Sequence, residues 1–176
     1  CSNKVMSLKF DALIMPKQGT ASLAIQTLTD LSMERSLLLT AALSCGTVLF
    51  AQNWTATDIN GQQHTLQDYL DQGKTVLVDL SAHWCGPCWA WHQSGIMERL
   101  YHDFGPDGTG DLMIFFIDAS SQPPSNTNLI NGIGSGTQGD WTAGTPYPII
   151  GPNGNGGIVG TAYDFSAFPT LFLHCP

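Results

Sequence analysis

Hydrophobic and polar positions change their pattern along this chain, and each pattern predicts a different element. From Cys1 to Ser32 there is no sustained period, no motif and no capping signal, and this N-terminal extension is assigned no role. Ser36 to Phe50 is an uncharged run of about fifteen residues, preceded by Met33 and Arg35 and followed by the small residue Ala51. That is shorter than the roughly twenty residues needed to cross a bilayer and has the anatomy of a secretory signal peptide at 33–51. A domain is expected over 52–176. In "NWTATDINGQQHT" an alternating stretch breaks at the turn signal Asn60-Gly61, after which Leu66, Tyr69 and Leu70 share one face of a short helix closed by Gly73-Lys74. "TVLVDLSA" and "DLMIFFIDAS" are nearly continuous apolar runs, suited to strands buried on both faces. Between them Ile96, Met97, Leu100 and Tyr101 recur at helical spacing, predicting one helix from about Gly86 to Phe104, ended by Gly105-Pro106. Gly, Ser, Asn, Thr and Pro then dominate, giving an irregular insertion at about 120–158, with a short helix near Asn128 to Asn131 at most. "TLFLHC" is the last strand. Strand, helix, strand, insertion, strand predicts a layered α/β or α+β fold.

Composition narrows the partners more than the fold. The 176 residues suit one domain, and a charged fraction of only 11% leaves surface solvation to Asn, Gln, Ser, Thr and Gly. Net charge is −8, and after Gln52 only Lys74 and Arg99 oppose eleven acidic side chains. Neither a nucleic acid nor insertion into a membrane fits this balance; simple solubility does. The chain begins at Cys1 and stops soon after an apolar strand, which reads as a fragment or an over-extended reading frame.

Candidate chemistry concentrates in "HWCGPCWAWH", His83 to His92. A CxxC pair opening a helix has its own logic: the unpaired N–H groups and partial positive charge of a helix N-terminus stabilise a thiolate on the first cysteine. Pro87 suits an early helical position, where it forfeits no hydrogen bond. Cys85 would be the exposed attacker and Cys88 the resolver. A metal module using Cys85, Cys88 and His92, with His174-Cys175 as further ligands, is the competing reading, although adjacent residues of a strand point to opposite faces. Inert structural thiols are a third. His83 and His92 are expected to face solvent, with His83 the one placed to tune a thiolate; Trp89 and Trp91 cannot both face the core, and the outward one is expected to pack against the insertion.

"VLVDLSAHWCGPC" resembles the active-site segment of thioredoxins, and "AYDFSAFPTLFL" resembles the second signature of that family, a turn leading through a cis-proline to an apolar strand. The opening of the domain is similar to the secreted and periplasmic thiol–disulfide oxidoreductase branch. The resemblance implies an α/β thioredoxin-like fold, a central mixed sheet flanked by helices, with the last strand and helix missing. That loss would uncover a sheet face and leave an unpaired edge. It implies a protein-disulfide reductase without cofactor, with Cys85 as nucleophile, Cys88 as resolving thiol and Asp79 as the buried carboxylate that moves its proton. Trp84, Gly86, Pro87, Phe168 and the cis-proline Pro169 would contact substrate. Its partners would be protein or peptide thiols and disulfides and a redox protein that donates or accepts electrons, in an extracytoplasmic compartment. A non-catalytic adaptor of the same fold is a further alternative. Ser81 stands where thioredoxin has an aromatic, and the helix after the CxxC lacks the usual kink-forming proline.

Overall fold

The run Thr75–Ser81 forms the strand around which everything else is arranged. The computed structural model describes residues 6–8, 52–120, 125–132 and 136–176. The segment 33–51, read as a signal peptide, lies outside the described residues, as does most of the extension before it.

The elements in chain order are β1 (Met6–Leu8), β2 (Thr55–Thr57), β3 (Gln63–Thr65), α1 (Leu66–Asp71), β4 (Thr75–Ser81), α2 (Gly86–His92), α3 (Ile96–Phe104), β5 (Leu112–Asp118), α4 (Thr127–Ile130), β6 (Ile149–Ile150), α5 (Gly156–Thr161) and β7 (Thr170–His174). The main sheet has the order β1-β7-β4-β5-β6. β4 pairs in parallel with β5 and β5 with β6, while β7 runs antiparallel to both β4 and β1. The sheet is mixed and helices cover it, so the class is α/β. β2 and β3 make a separate antiparallel hairpin, whose turn is tied by Asp58 Oδ1, which accepts from the N–H groups of Asn60 and Gln62.

Because side chains alternate along a strand, β4 feeds two cores. Val76, Val78 and Leu80 join Phe115, Ile117 and Phe172 under Trp54, Leu66, Val159 and Tyr163. On the other face Ile114, Phe116 and Leu171 pack under Cys88, Met97, Leu129, Trp141 and Tyr147. Each fully buried Phe, Leu, Ile or Val contributes roughly 1.5–3 kcal/mol relative to exposure, which is why the uninterrupted apolar runs fall in the middle of the sheet.

Three features differ from the sequence reading. The single helix expected from Gly86 to Phe104 is two: α2 ends at His92, and the chain passes through Gly95 at φ 68°, a left-handed conformation that glycine adopts without penalty. The stretch 120–158 carries a sheet strand, β6, and leads into α5, so its described part belongs to the domain's layers. The expected unpaired edge is also filled, because β7 pairs on its outer side with β1 from the extension, Met6 opposite Leu173 and Leu8 opposite Leu171.

Candidate functional site

At the C-terminal end of β4 the chain turns through Ala82–Trp84 into α2, and Cys85 is the residue that caps this helix. Its sulfur accepts the Cys88 N–H at 3.2 Å and is bonded to the Cys88 sulfur. A cap group takes one of the helix's unpaired N–H donors, and here the capping atom is the sulfur on which a thiolate would form. Cys85 retains 5% exposure and Cys88 none. Gly86 and Pro87 are exposed, with Pro87 in the first turn.

Asp79 lies on the same strand, 2% exposed, and accepts a hydrogen bond from Ser81 Oγ at 2.7 Å. Burial pushes its carboxyl up to about 7; the Ser81 hydrogen bond opposes that rise and the Glu98 charge adds to it. Removing a carboxylate from water favours its protonated form unless a cation compensates. Among the described residues every ion pair within 4.0 Å uses a histidine as the base, so neither Lys74 nor Arg99 fills that place.

The second motif reaches the same end of the sheet from the other direction. Thr170 of β7 is the register partner of Leu80, and the Phe168–Pro169 peptide just before it is cis. The Phe168 ring meets the half-exposed Trp84 ring edge-on at 5.8 Å. The loop before β7 therefore lies against the loop before α2. With the central strand, the helix-capping CxxC and the antiparallel strand behind the proline in place, the arrangement is defined. The fold is thioredoxin-like.

No family model matches the chain, and no curated protein does. Solved structures similar to this thioredoxin-like chain include a candidate protein disulfide isomerase from Bacteroides thetaiotaomicron, at 22% identity and TM-score 0.47, covering 69% of this chain and 67% of that one. The thioredoxin domain of a thiol–disulfide oxidoreductase from Bacteroides vulgatus is similar at 18% identity and TM-score 0.45, covering 69% and 75%. An exposed lipoprotein thioredoxin from Streptococcus pneumoniae follows at 18% identity and TM-score 0.40, covering 68% and 79%.

Both histidines expected in solvent are buried. His83, 3% exposed, places Nδ1 2.8 Å from Asp118 Oδ2 at the end of β5, and its carbonyl accepts the Gln138 N–H at 3.0 Å. It ties the loop before α2 to the neighbouring strand and to the insertion. Gln138 also donates from Nε2 to the Trp84 carbonyl. His92, 7% exposed, packs between Trp89 and Trp141, with centroids 5.4 and 5.1 Å away. Burial holds its pKa below the usual histidine range, against the pull of Glu98. Of the two tryptophans, Trp89 packs on the insertion, meeting Trp141 at 4.9 Å; a side chain at Gly139 would sit 2.6 Å from its ring.

The alternative metal ligands are not brought together. The two sulfurs are bonded to each other, His92 Nδ1 faces Glu98 at 3.9 Å, and His174 Nε2 is taken by Tyr163 Oη at 3.0 Å. Among the described residues no group of three or more His, Cys, Asp or Glu is arranged to hold a metal, and no helix is long and apolar enough to cross a membrane. Sequence reasoning missed Glu98 and Tyr147. Glu98 is the only glutamate after Gln52, but its place beside Arg99 in a helix looks like any solvated position.

Proposed function

We propose that the protein is a thiol–disulfide oxidoreductase, acting as a reductase of protein or peptide disulfides outside the cytoplasm. The observation that carries this is a sulfur pair capping a helix directly beyond a strand whose buried Asp79 has no ion-pair partner among the described residues. In the reduced protein the Cys85 thiolate, held by the Cys88 N–H and the helix N-terminus, attacks one substrate sulfur. A Cys85–substrate disulfide forms and the other substrate sulfur leaves as a thiolate. Cys88 then gives its proton to Asp79 and attacks Cys85 Sγ. The second substrate thiolate leaves, and the Cys85–Cys88 disulfide carries the two electrons' worth of oxidation until a partner dithiol protein reduces it. Trp84, Gly86, Pro87, Phe168 and Pro169 form the rim that receives the substrate chain. Export rests on the segment at 33–51, and no metal or organic cofactor enters the cycle.

Turnover of an insulin-type disulfide substrate by the pre-reduced protein, with Cys85→Ser as control, tests the assignment. Loss of at least about a thousandfold is expected, because the attacking thiolate is removed. Persistent turnover in that variant overturns it. A reduction potential measured against glutathione decides the direction, since a strongly oxidising value would make the protein a disulfide donor.

A further inference from the structure

Asp79 and Phe116 are register partners in the parallel β4–β5 pair, so their side chains rise from the same face of the sheet. His92 packs on Phe116, ring centroids 6.3 Å apart, and its Nδ1 lies 3.9 Å from Glu98 Oε1. Tyr147 stands two residues before Ile149, the register partner of Phe116 on its other side, and donates its hydroxyl to the same Glu98 oxygen at 3.1 Å. Glu98 Oε2 is buried and has no hydrogen-bond partner among the described residues. Arg99, its neighbour, donates instead to the Ser94 carbonyl. On its outer side Glu98 borders a cavity of about 520 Å³ that it shares with Arg99, Tyr101 and Asp103. An acidic side chain thus runs from the cavity edge to the face of the sheet that carries Asp79, and among the described residues neither Lys74 nor Arg99 forms an ion pair with it.

Building on the oxidoreductase reading, we infer that Glu98 is a positioning residue in the resolving step: its charge, held on the Asp79 side of the sheet by Tyr147 and His92, adds to burial in raising the pH at which Asp79 takes the Cys88 proton. Among the described residues, the polar and titratable groups on that face are Asp79 and Ser81 from β4, Cys88 and His92 from α2, Glu98 from α3, and Trp141 Nε1 and Tyr147 from the segment before β6. The flanking register partners of Asp79, Phe116 and Leu171, carry no charge. Two carboxylates in a poorly solvated space disfavour each other's ionisation. In keeping with a shared field, burial and then the Glu98 and Asp79 charges all hold the Tyr147 hydroxyl in its protonated, donating form. During the step the proton moves from Cys88 to Asp79, and Cys88 Sγ bonds to Cys85 Sγ as the substrate thiolate departs.

The Asp79 carboxyl carbon, followed by 13C NMR across pH in the oxidised full chain, reads this without turnover. In the wild type a midpoint near about 7 is expected. Glu98→Gln should move it down by about half a pH unit or more, and Glu98→Asp, which keeps the charge, by less. If the Gln variant does not fold, Glu98→Ala carries the same expectation. The acid limb of mixed-disulfide decay should move in the same direction. An Asp79 midpoint unmoved in a folded neutral variant overturns the inference, as does a decay limb that stays in place while the midpoint moves. Failure of the oxidoreductase reading shows separately, as the absence of any trapped mixed disulfide between Cys88→Ser protein and a peptide disulfide.

Discussion

The two faces of the central sheet treat their buried polar groups differently. Under Val76, Val78 and Leu80 they are paired: Trp54 Nε1 donates to Tyr163 Oη at 2.7 Å, Tyr163 Oη bonds His174 Nε2 at 3.0 Å, and His64 is held between Asp58 and Tyr69. Behind the disulfide, His92 Nδ1, Glu98 Oε2 and Trp141 Nε1 have no hydrogen-bond partner among the described residues, and Asp79 is held up at about 7. A buried polar atom without a partner costs about 1–3 kcal/mol. One face therefore supplies stability, and the other gives some up while holding a buried carboxyl near neutrality on the side of the sheet that carries the disulfide.

The sharpest way to break that comparison is to damage the first face and look for an effect on the second. Phe115 is fully buried and meets the rings of Trp54, His64 and Tyr69 edge-on at 5.2, 5.1 and 5.4 Å. Phe115→Ala should cost about 3–5 kcal/mol by chemical denaturation, while the rate of Cys85 attack in the fraction still folded is unchanged. A loss below about 1 kcal/mol, less than the transfer cost of so large a side chain, would remove this face as the main source of stability.

Asp79→Asn should act with opposite signs on activity and stability. Mixed-disulfide decay should slow about 10- to 100-fold, and formation by Cys85 much less, because the proposed cycle uses this base only in the resolving step. Rapid mixing separates the two, and equal slowing would reduce Asp79 to a structural residue. For stability, an unfolded aspartate titrates near about 4 and the folded one near about 7. Between those values the native protein keeps a proton that the unfolded chain has lost. Stability from this group is thus complete below the unfolded pKa, falls as pH rises through the folded one, and is level above it. At pH 8 the oxidised variant should exceed the wild type by about 2–4 kcal/mol, measured by urea unfolding; a variant no more stable than wild type contradicts the uncompensated burial.

The smallest effect belongs to Tyr163→Phe, which leaves Trp54 Nε1 and His174 Nε2 without their shared partner. A cost of about 1–2 kcal/mol is expected at neutral pH, with the reduction potential unmoved. Burial pushes His174 down to about 4, below an unfolded value near about 6.5. Its contribution is therefore present above the unfolded value and is lost as pH falls toward the folded one, the reverse of Asp79. A potential that shifts in Tyr163→Phe would show that the two faces are not independent.

Much of this was legible in the residues because it is local. β4, β5 and β7 announced themselves as apolar runs, α1 as a spaced face closed by Gly73, and the redox turn as Cys-Gly-Pro-Cys beyond an aspartate-bearing strand. The glycine-rich part of the insertion hid real structure. Gly156, Gly157 and Gly160 each cost a helix about 1 kcal/mol relative to alanine, so composition argued against α5. A side chain at Gly160 would lie 2.6 Å from Ala119 Cβ, a close approach that no propensity scale contains. β1 was equally invisible, since a short strand is defined by its partner and the partner is more than 160 residues away.

The sequence by itself determined the close pair of cysteines, the helix that Cys85 caps and the strand that buries Asp79, since capping, φ preference and alternation act between neighbours. The tertiary structure alone decided the electrostatics. A continuous helix would place residues six apart on different faces; with the left-handed turn at Gly95 between the two helices, Glu98 Oε1 lies 3.9 Å from His92 Nδ1. Trp141 and Tyr147, carried in from the insertion, close the compartment around it. Charges in a poorly solvated interior interact according to distance and solvent exclusion, and neither is fixed until chain segments far apart in sequence have packed.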